Sequence, residues 1–376
     1  MNAWSICPTH DPSHGGLYRA INDIARGLGG PVLSFDDGKA DRAALADGVY
    51  RVPCHLGALP GDCHFIPAAA GRQAERLLAP ADLFVVHSLY RAHAPWAADL
   101  ATRTGRPYWA VPHGCLDPWT VSRRAVMKRG WLTLFGRRYL AGAERILFST
   151  RRSLEKAQPW IQGAACDVIP WPVPLPALDN ADTARTAFRA AHKIPADAPL
   201  LLFVGRLHAV KRPRETIEAF CRAAPPRSHL VLAGGADGLT PAALVAGIPP
   251  ACADRVHLLG PLAAADLRQA YLAADGFISL SWQENFGYAV AEAAAYGLPL
   301  ILAPGIDLAH DLPRGSAGGL ACGWLLPDDT PAAAEEAIAA WGRAREYRAL
   351  GAPGRAWAGD ALAFDRFRER LAKLRG

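Results

Sequence analysis

The amino-acid sequence predicts an α/β protein made of two doubly wound parallel sheets, each covered by helices on both faces. Three observations carry that expectation. Short apolar runs alternate with amphipathic stretches along the chain, as strands buried on both faces do between crossover helices. A proline-rich run, Ile169-Pro170-Trp171-Pro172-Val173-Pro174-Leu175-Pro176, interrupts the alternation and cannot continue a helix. At 376 residues the chain exceeds what one hydrophobic core usually fills, so two domains of about 150 to 200 residues follow.

In the first half, strands are expected at 32–35, 83–87, 108–112 and 146–149, each followed by a polar or Gly-containing turn. The proline run is a stiff connector and marks the boundary, giving domains at 1–172 and 173–350 and a helical tail, 351–376, expected to cross back onto the first domain. The series then restarts. A strand at 199–204 ends at Gly205, and a helix over 213–224 begins at Pro213, a residue suited to the first helical turn, with Ile217 and Phe220 on one face. Strands at 230–233, 256–259, 276–280 and 300–303 and a helix at 264–273 complete a second Rossmann-like unit. Two such units are expected to face each other across a cleft, with ligands at the carboxyl ends of the strands.

Composition narrows the function classes. Apolar residues at 51% with 20% charged exclude a disordered chain. The start, Met1-Asn2-Ala3-Trp4-Ser5-Ile6-Cys7-Pro8, lacks a basic segment followed by a long apolar run, and no apolar stretch approaches the roughly 18 residues that cross a bilayer. A cytoplasmic protein is expected. The eight cysteines, at 7, 54, 63, 115, 166, 221, 252 and 322, form no CxxC pair and have no histidine at zinc-ligand spacing; reduced thiols and no metal follow. The net charge of +6 resides in the first half, where residues 1–175 hold 20 Lys and Arg against 14 Asp and Glu. Within it, 121–160 carry ten basic side chains and two acidic ones, a patch suited to a nucleic acid, an anionic membrane or a phosphorylated substrate.

Neither G-x-G-x-x-G nor G-x-x-x-x-G-K-S/T occurs, which removes the standard dinucleotide and P-loop readings. The most chemical segment runs Ser279-Leu280-Ser281-Trp282-Gln283-Glu284-Asn285-Phe286-Gly287-Tyr288, continues through Glu292, and ends in Gly297-Leu298-Pro299. A strand leads into a polar loop at Glu284, and a helix of small residues carries Glu292. Gly287 lets a ligand approach the backbone, and the helix start offers N–H groups to an anion. Glu284 can accept bonds from sugar hydroxyls, whereas Glu292 reaches a different part of the ligand. A second segment, Gly205-Arg206-Leu207-His208-Ala209-Val210-Lys211-Arg212, places Arg206 and Lys211 where they can converge on a diphosphate, the first as a fork and the second as a point charge.

With these segments the chain resembles a family 4 glycosyltransferase, the retaining group with the GT-B fold, strongly over 199–305 and more loosely before that. The resemblance implies a nucleoside-diphosphate sugar as donor, Arg206 and Lys211 as its diphosphate clamp, Glu284 on the transferred sugar and Glu292 on the ribose, with Asn285, Phe286 and Gly287 beside them. It further implies that His14, Gly15 and Gly16 form the family's Gly-Gly loop against donor phosphates and acceptor, and that His113 contacts the donor sugar near the reacting centre. Asp117, in the same segment, falls on the acceptor side, as does the first domain as a whole. Two positions depart from the family: Arg212 stands where glycine is common, adding a phosphate contact or reshaping the loop, and Trp171-Pro172 replaces an Asn-Gly turn.

The implied enzyme is a metal-independent hexosyltransferase with no cofactor, active in bacterial surface polysaccharide biosynthesis on a saccharide or lipid-linked saccharide acceptor. No side chain stands out as a covalent nucleophile, so a same-face mechanism with retention follows from the resemblance. The segment 123–138 mixes basic and bulky apolar side chains, as a helix on the inner face of an anionic plasma membrane does; an ordinary helix with one packed and one solvated face fits it equally. Competing readings are an epimerase or phosphorylase on the same fold, a nucleotide-sugar-binding protein without turnover, and a nucleic-acid-binding protein. The last lacks helix-turn-helix, zinc or ribonucleoprotein signatures, and no nucleic-acid partner is expected.

Overall fold

The computed structural model describes residues 2–36, 48–54, 65–161, 163–316, 318–344 and 346–375. The chain divides into two compact units, Met1–Pro172 with Phe364–Gly376, and Val173–Ala363. Among the described residues the first unit holds β1 (Ala3–Cys7), β2 (Val32–Asp36), β3 (Val49–Pro53), β4 (Leu83–His87), β5 (Tyr108–Val111), β6 (Arg145–Phe148) and β7 (Cys166–Val168), in the spatial order β3-β2-β1-β4-β5-β6-β7. The second holds β8 (Leu200–Val204), β9 (His229–Ala233), β10 (Val256–Gly260), β11 (Gly276–Ser279), β12 (Leu300–Leu302) and β13 (Gly323–Leu325), in the order β10-β9-β8-β11-β12-β13. Each neighbouring pair is parallel.

The α/β class and the two doubly wound sheets are those expected from the sequence. Strands such as Leu83-Phe84-Val85-Val86 are buried on both faces, which is why they read as continuous apolar runs. The first strand of the chain, β1, an inner strand of its sheet, was not among the strands expected. Its Ala-Trp-Ser-Ile-Cys sequence places Ser5 in the core, 2% exposed, and that polar residue breaks the run. The edge strands β3, β7 and β13 also escape the sequence pattern; β7 and β13 have three residues each and none fully buried.

In both sheets the order reverses beside the first strand of the unit, between β1 and β4 and between β8 and β11. The loops leaving these strands diverge to opposite sides and open a crevice at their carboxyl ends. The helix expected at 213–224 is Pro213–Ala223, with Pro213 in its first turn and Ile217 and Phe220 buried. The helix Tyr347–Ala361 belongs to the second unit, whereas Phe364–Leu374 returns to the first. There Phe367 and Leu371 are buried, and a side-chain carbon at Gly27 would meet both at 2.8 Å, so the glycine is what lets this helix approach Gly16–Leu28. The described cysteines are free thiols; Cys63 lies outside the described residues.

Candidate functional site

At the switch point of the second sheet, the loop after β8 carries Arg206, exposed and ion-paired with Asp237. A short turn, Ala209–Lys211, is capped by His208, whose Nδ1 accepts from the Val210 N–H at 3.1 Å. This turn presents the Lys211 ammonium to the Glu284 carboxylate, which it contacts directly. Burial, and then Arg206, push the lysine down to about 8; contact with Glu284 opposes that push. Arg212 does not join them. Its guanidinium meets the Asp329 carbonyl at 3.0 Å and the Trp282 ring at 5.2 Å. Arg212 has φ +54°, a conformation natural to glycine, and holding a side chain there costs about 1 kcal/mol or more.

Glu284 follows β11 in a loop pinned to the next crossover: its N–H bonds the Gly305 carbonyl at 3.1 Å and its carbonyl accepts from Asp307 at 2.9 Å. The chain then turns through Gly287 at φ +78° into the helix Tyr288–Ala295. A Cβ at 287 would lie 3.0 Å from the Glu284 Cγ, so glycine is needed both for the turn and for the glutamate beside it. Phe286 is buried and packs edge-on against Tyr288 at 5.1 Å, and Asn285 sits between Glu284 and Phe286 in this loop. Glu292 lies further along the helix, its carboxylate accepting from the Tyr271 hydroxyl at 3.0 Å. Arg206, Lys211, Glu284 and Gly287 thus gather at one sheet edge, with Glu292 further down the helix that starts there.

The first unit has a different character. His87, the last residue of β4, lies with Nδ1 2.9 Å from Nε2 of His113, their rings stacked at 5.2 Å. His93 Nε2 donates to the His87 carbonyl at 2.8 Å. Burial pushes His93 down to about 4 and His113 to about 3, and holds His87 well below the usual range. Two neutral imidazoles share one N–H between them, which two cations cannot. His113 itself has φ +50°. Nε2 faces His87, and the Trp171 ring lies 5.7 Å from that of His113.

His14 and Gly15 end the short turn after β1, and Gly15, at φ +52°, opens the helix Gly16–Leu28. Asp117 is buried, caps the helix Pro118–Ser122 by accepting from Trp119 N–H at 2.8 Å, and pairs with Lys156 at 2.7 Å. Both of its oxygens hold the local fold. The sequence reading did not single out His87, His93, Asp237 or Asp329; His87 was legible only as a polar end to an apolar strand. A cavity of about 480 Å³ at the amino ends of β11 and β12 lies at the opposite sheet edge. Its Arg185 and Arg348 are taken up by Asp275 and Asp182, at 2.8 and 2.7 Å.

Residues 198–341 match the family Glycosyl transferases group 1. The D-inositol 3-phosphate glycosyltransferase of Xylanimonas cellulosilytica is 34% identical over 174 residues, 44% of this chain and 41% of that protein. The enzyme of the same name from Mycobacteroides abscessus is 29% identical over 295 residues, 73% of this chain and 62% of that protein. The matched part therefore spans less than two thirds of these relatives. The crystal structure of Anabaena HepE in complex with UDP and glucose superimposes with a TM-score of 0.74 over 100% of this chain and 99% of that one, at 17% identity, a likeness in fold, the GT-B type. Residues 198–341, which carry the second sheet and its switch point, are thus similar to the group 1 glycosyltransferases, and the two sheets share the GT-B type of fold.

Proposed function

We propose that this protein transfers a sugar from a nucleoside-diphosphate sugar to a saccharide or lipid-linked saccharide, with retention of anomeric configuration, in the assembly of a bacterial surface polysaccharide. The observation that carries the reading is the gathering of Arg206, Lys211 and Glu284 at the switch point of the second sheet, beside the amino end of the helix Tyr288–Ala295. A departing diphosphate gains negative charge, and a guanidinium, an ammonium and helix N–H groups stabilise it without requiring a metal. Glu284, freed from Lys211 as the phosphates take the lysine, accepts from sugar hydroxyls. Glu292 serves the ribose, and Gly15 and Gly16 bring backbone close to the phosphates. His113, held neutral, can hydrogen-bond a sugar hydroxyl but brings no positive charge. The UDP and glucose held by HepE support a uridine donor.

The segment Ala125–Trp131 continues through a wider π-type turn, Leu132–Gly136, into Arg137–Gly142. It buries Leu132, Tyr139 and Leu140 yet leaves Val126 91% and Leu134 73% exposed beside Arg129, Arg137 and Arg138. Exposed apolar groups ringed by arginine suit the cytoplasmic leaflet of an anionic membrane, on which the enzyme would be peripheral; among the described residues no helix is long and apolar enough to cross one. Flotation with anionic liposomes at physiological salt tests this, and a protein that stays at the bottom of the gradient refutes it.

The donor reading is tested by thermal shift against UDP-, GDP- and ADP-sugars, since a ligand of the native state raises stability by mass action. One nucleotide series should raise the midpoint in the wild type and fail to do so in Arg206→Ala. No shift with any of them would sink the proposal, and binding without hydrolysis or transfer would leave a binding protein rather than an enzyme.

A further inference from the structure

We infer that Trp282 is a stacking platform for a sugar ring of the acceptor and that Arg212 holds it in place. The word acceptor rests on the transferase reading; contact between the indole and a pyranose does not.

The platform is built by the loop that leaves β11 and by the turn that carries Lys211. The Trp282 N–H donates to the Val210 carbonyl at 2.8 Å, which ties the loop to that turn. The Trp282 carbonyl lies so close to Gly305 that a Cβ there would meet the oxygen at 2.2 Å, so the backbone of 282 is wedged between two neighbouring segments. The residue itself is 49% exposed. An indole left half in water forgoes part of the burial that a tryptophan ordinarily gains, and this one does so two residues before Glu284. A ring with two rotatable bonds on a pinned backbone offers contact area at little entropic cost.

Arg212 supplies the second observation. Its guanidinium lies over the indole, 5.2 Å from the ring centre, and is fixed by the Asp329 carbonyl at 3.0 Å, the Asp329 carboxylate at 3.4 Å and Glu215 at 3.8 Å. The arginine is buried, so its side chain is committed to those contacts rather than to solvent. It makes them from φ +54°, where a glycine would sit at ease but would leave the indole unsupported; strain of this kind concentrates at sites that bind or react. A fixed aromatic face near a carboxylate suits a pyranose, whose C–H face packs on the ring while its hydroxyls reach polar groups at the side. The groups given to the donor are recessed: the side chains of Lys211 and Glu284 are 22% and 23% exposed, and Phe286 is buried. Trp282 stands at the rim outside them, so the ring it reaches is the one that arrives. A nucleobase also stacks on an indole, but the nucleoside end is assigned to Glu292, further along the helix.

The full chain, together with whichever of UDP, GDP and ADP it binds, would be mixed with the methyl pyranosides of glucose, mannose, galactose and N-acetylglucosamine, and saturation-transfer difference NMR would report which sugar protons touch the protein. At least one pyranoside should show transfer concentrated on the C–H protons of one ring face. That signal should fall by about fivefold or more in Trp282→Ala and stay within about twofold in Trp282→Phe, which keeps a ring and so separates loss of the platform from damage to the loop. In Arg212→Gly, which suits the positive φ and frees the indole, it should fall part of the way. Affinity for the nucleotide, measured calorimetrically, should hold in all three. Transfer that persists in Trp282→Ala, or no pyranoside contact at all, overturns the inference. So does a loss of nucleotide affinity in Trp282→Ala, which would give the indole to the base, and so does a signal lost in Glu284→Gln alone, which would belong to the transferred sugar. A signal untouched in Arg212→Gly overturns the arginine's part. Turnover of a nucleotide sugar without pyranoside contact sinks the platform and spares the transferase reading; pyranoside contact at Trp282 without any turnover does the reverse.

Discussion

The switch points of the two sheets hold cations in opposite ways. In the second unit Arg206 sits against Asp237, Lys211 against Glu284 and Arg212 against Asp329, while in the first Arg123, Arg124 and Lys128 line a pocket free of acid. On the proposed reading, an anion entering the second site displaces a carboxylate, and the displaced Glu284 becomes an acceptor for hydroxyls. Such a site rewards a ligand that offers phosphate and sugar together. The first pocket sets its cations side by side with no such exchange. Histidine pairing, by contrast, does not distinguish the units. His229 and His257 stack at 5.3 Å with nitrogens 3.0 Å apart, much as His87 and His113 do, yet they lie on β9 and β10, away from the crevice.

Acid should have the largest effect on that contrast, through the buried histidines of the first unit. His93 is pushed down to about 4 and His87 well below its ordinary range, both by burial. Their folded values lie below the unfolded value of 6.5, so the unfolded chain binds more protons below that pH. Their contribution is therefore complete above pH 6.5 and is lost as pH falls toward 4. At about 1.4 kcal/mol per unit, His93 alone loses roughly 2 kcal/mol by pH 5, and His87 and His113 act in the same direction. Urea unfolding at pH 7.5 and 5.0 measures it, and His93→Gln should reduce the pH dependence by roughly 2 kcal/mol. An unchanged dependence in that variant would mean the acid response arises elsewhere, in His229 and His257 of the second unit for example.

Next in size is the clamp. Arg206→Ala and Lys211→Ala should each slow transfer by about 10² or more, since they remove charge stabilisation from the leaving group; near-normal rates with saturating donor would break the assignment. Lys211 also gives the second site a pH signature that the first lacks. Because its ammonium is pushed down to about 8, kcat/KM for the donor should fall about tenfold per unit above that pH. His113, pushed to about 3, gives no limb between pH 5 and 8. In Lys211→Arg the alkaline limb should vanish; its persistence would assign the limb to another group.

The same contrast shows what the sequence makes legible. Arg206, Lys211, Glu284 and Gly287 lie in two short segments, each directly after an apolar strand, so their placement follows once the strands are found. Arg212 could be read as a change to the loop, though its left-handed backbone and its partner Asp329, 117 positions away, could not. The first unit's pocket draws on loops after three strands and on the segment around 120–128, so its charge was visible as a basic stretch and its enclosure was not. The buried His87–His93–His113 cluster depends on how β4 meets the loops beyond it, and β1, the strand beside β4, carries a buried serine where an apolar run would have announced it.

The smallest expected effect separates the two glutamates of the second site. Glu284 already holds Lys211 and stands in the loop where the helix begins, whereas Glu292 is anchored by the Tyr271 hydroxyl further along that helix. If the phosphates sit at the helix start, the sugar meets Glu284 and the nucleoside meets Glu292. Glu284→Gln should lower kcat while free nucleoside diphosphate binds almost normally, because only the bond to the transferred sugar is weakened. Glu292→Gln should weaken the free diphosphate and the donor alike, by about 1 to 2 kcal/mol for one degraded charged hydrogen bond. Tyr271→Phe sharpens the assignment: it removes the anchor and leaves the carboxylate, so a smaller loss in the same direction is expected. Calorimetric titration of the three variants with the free diphosphate decides. Should Glu284→Gln lose most of that affinity while Glu292→Gln binds like the wild type, the donor lies the other way round, and the pairing of Lys211 with Glu284 would belong to the nucleoside end of the site.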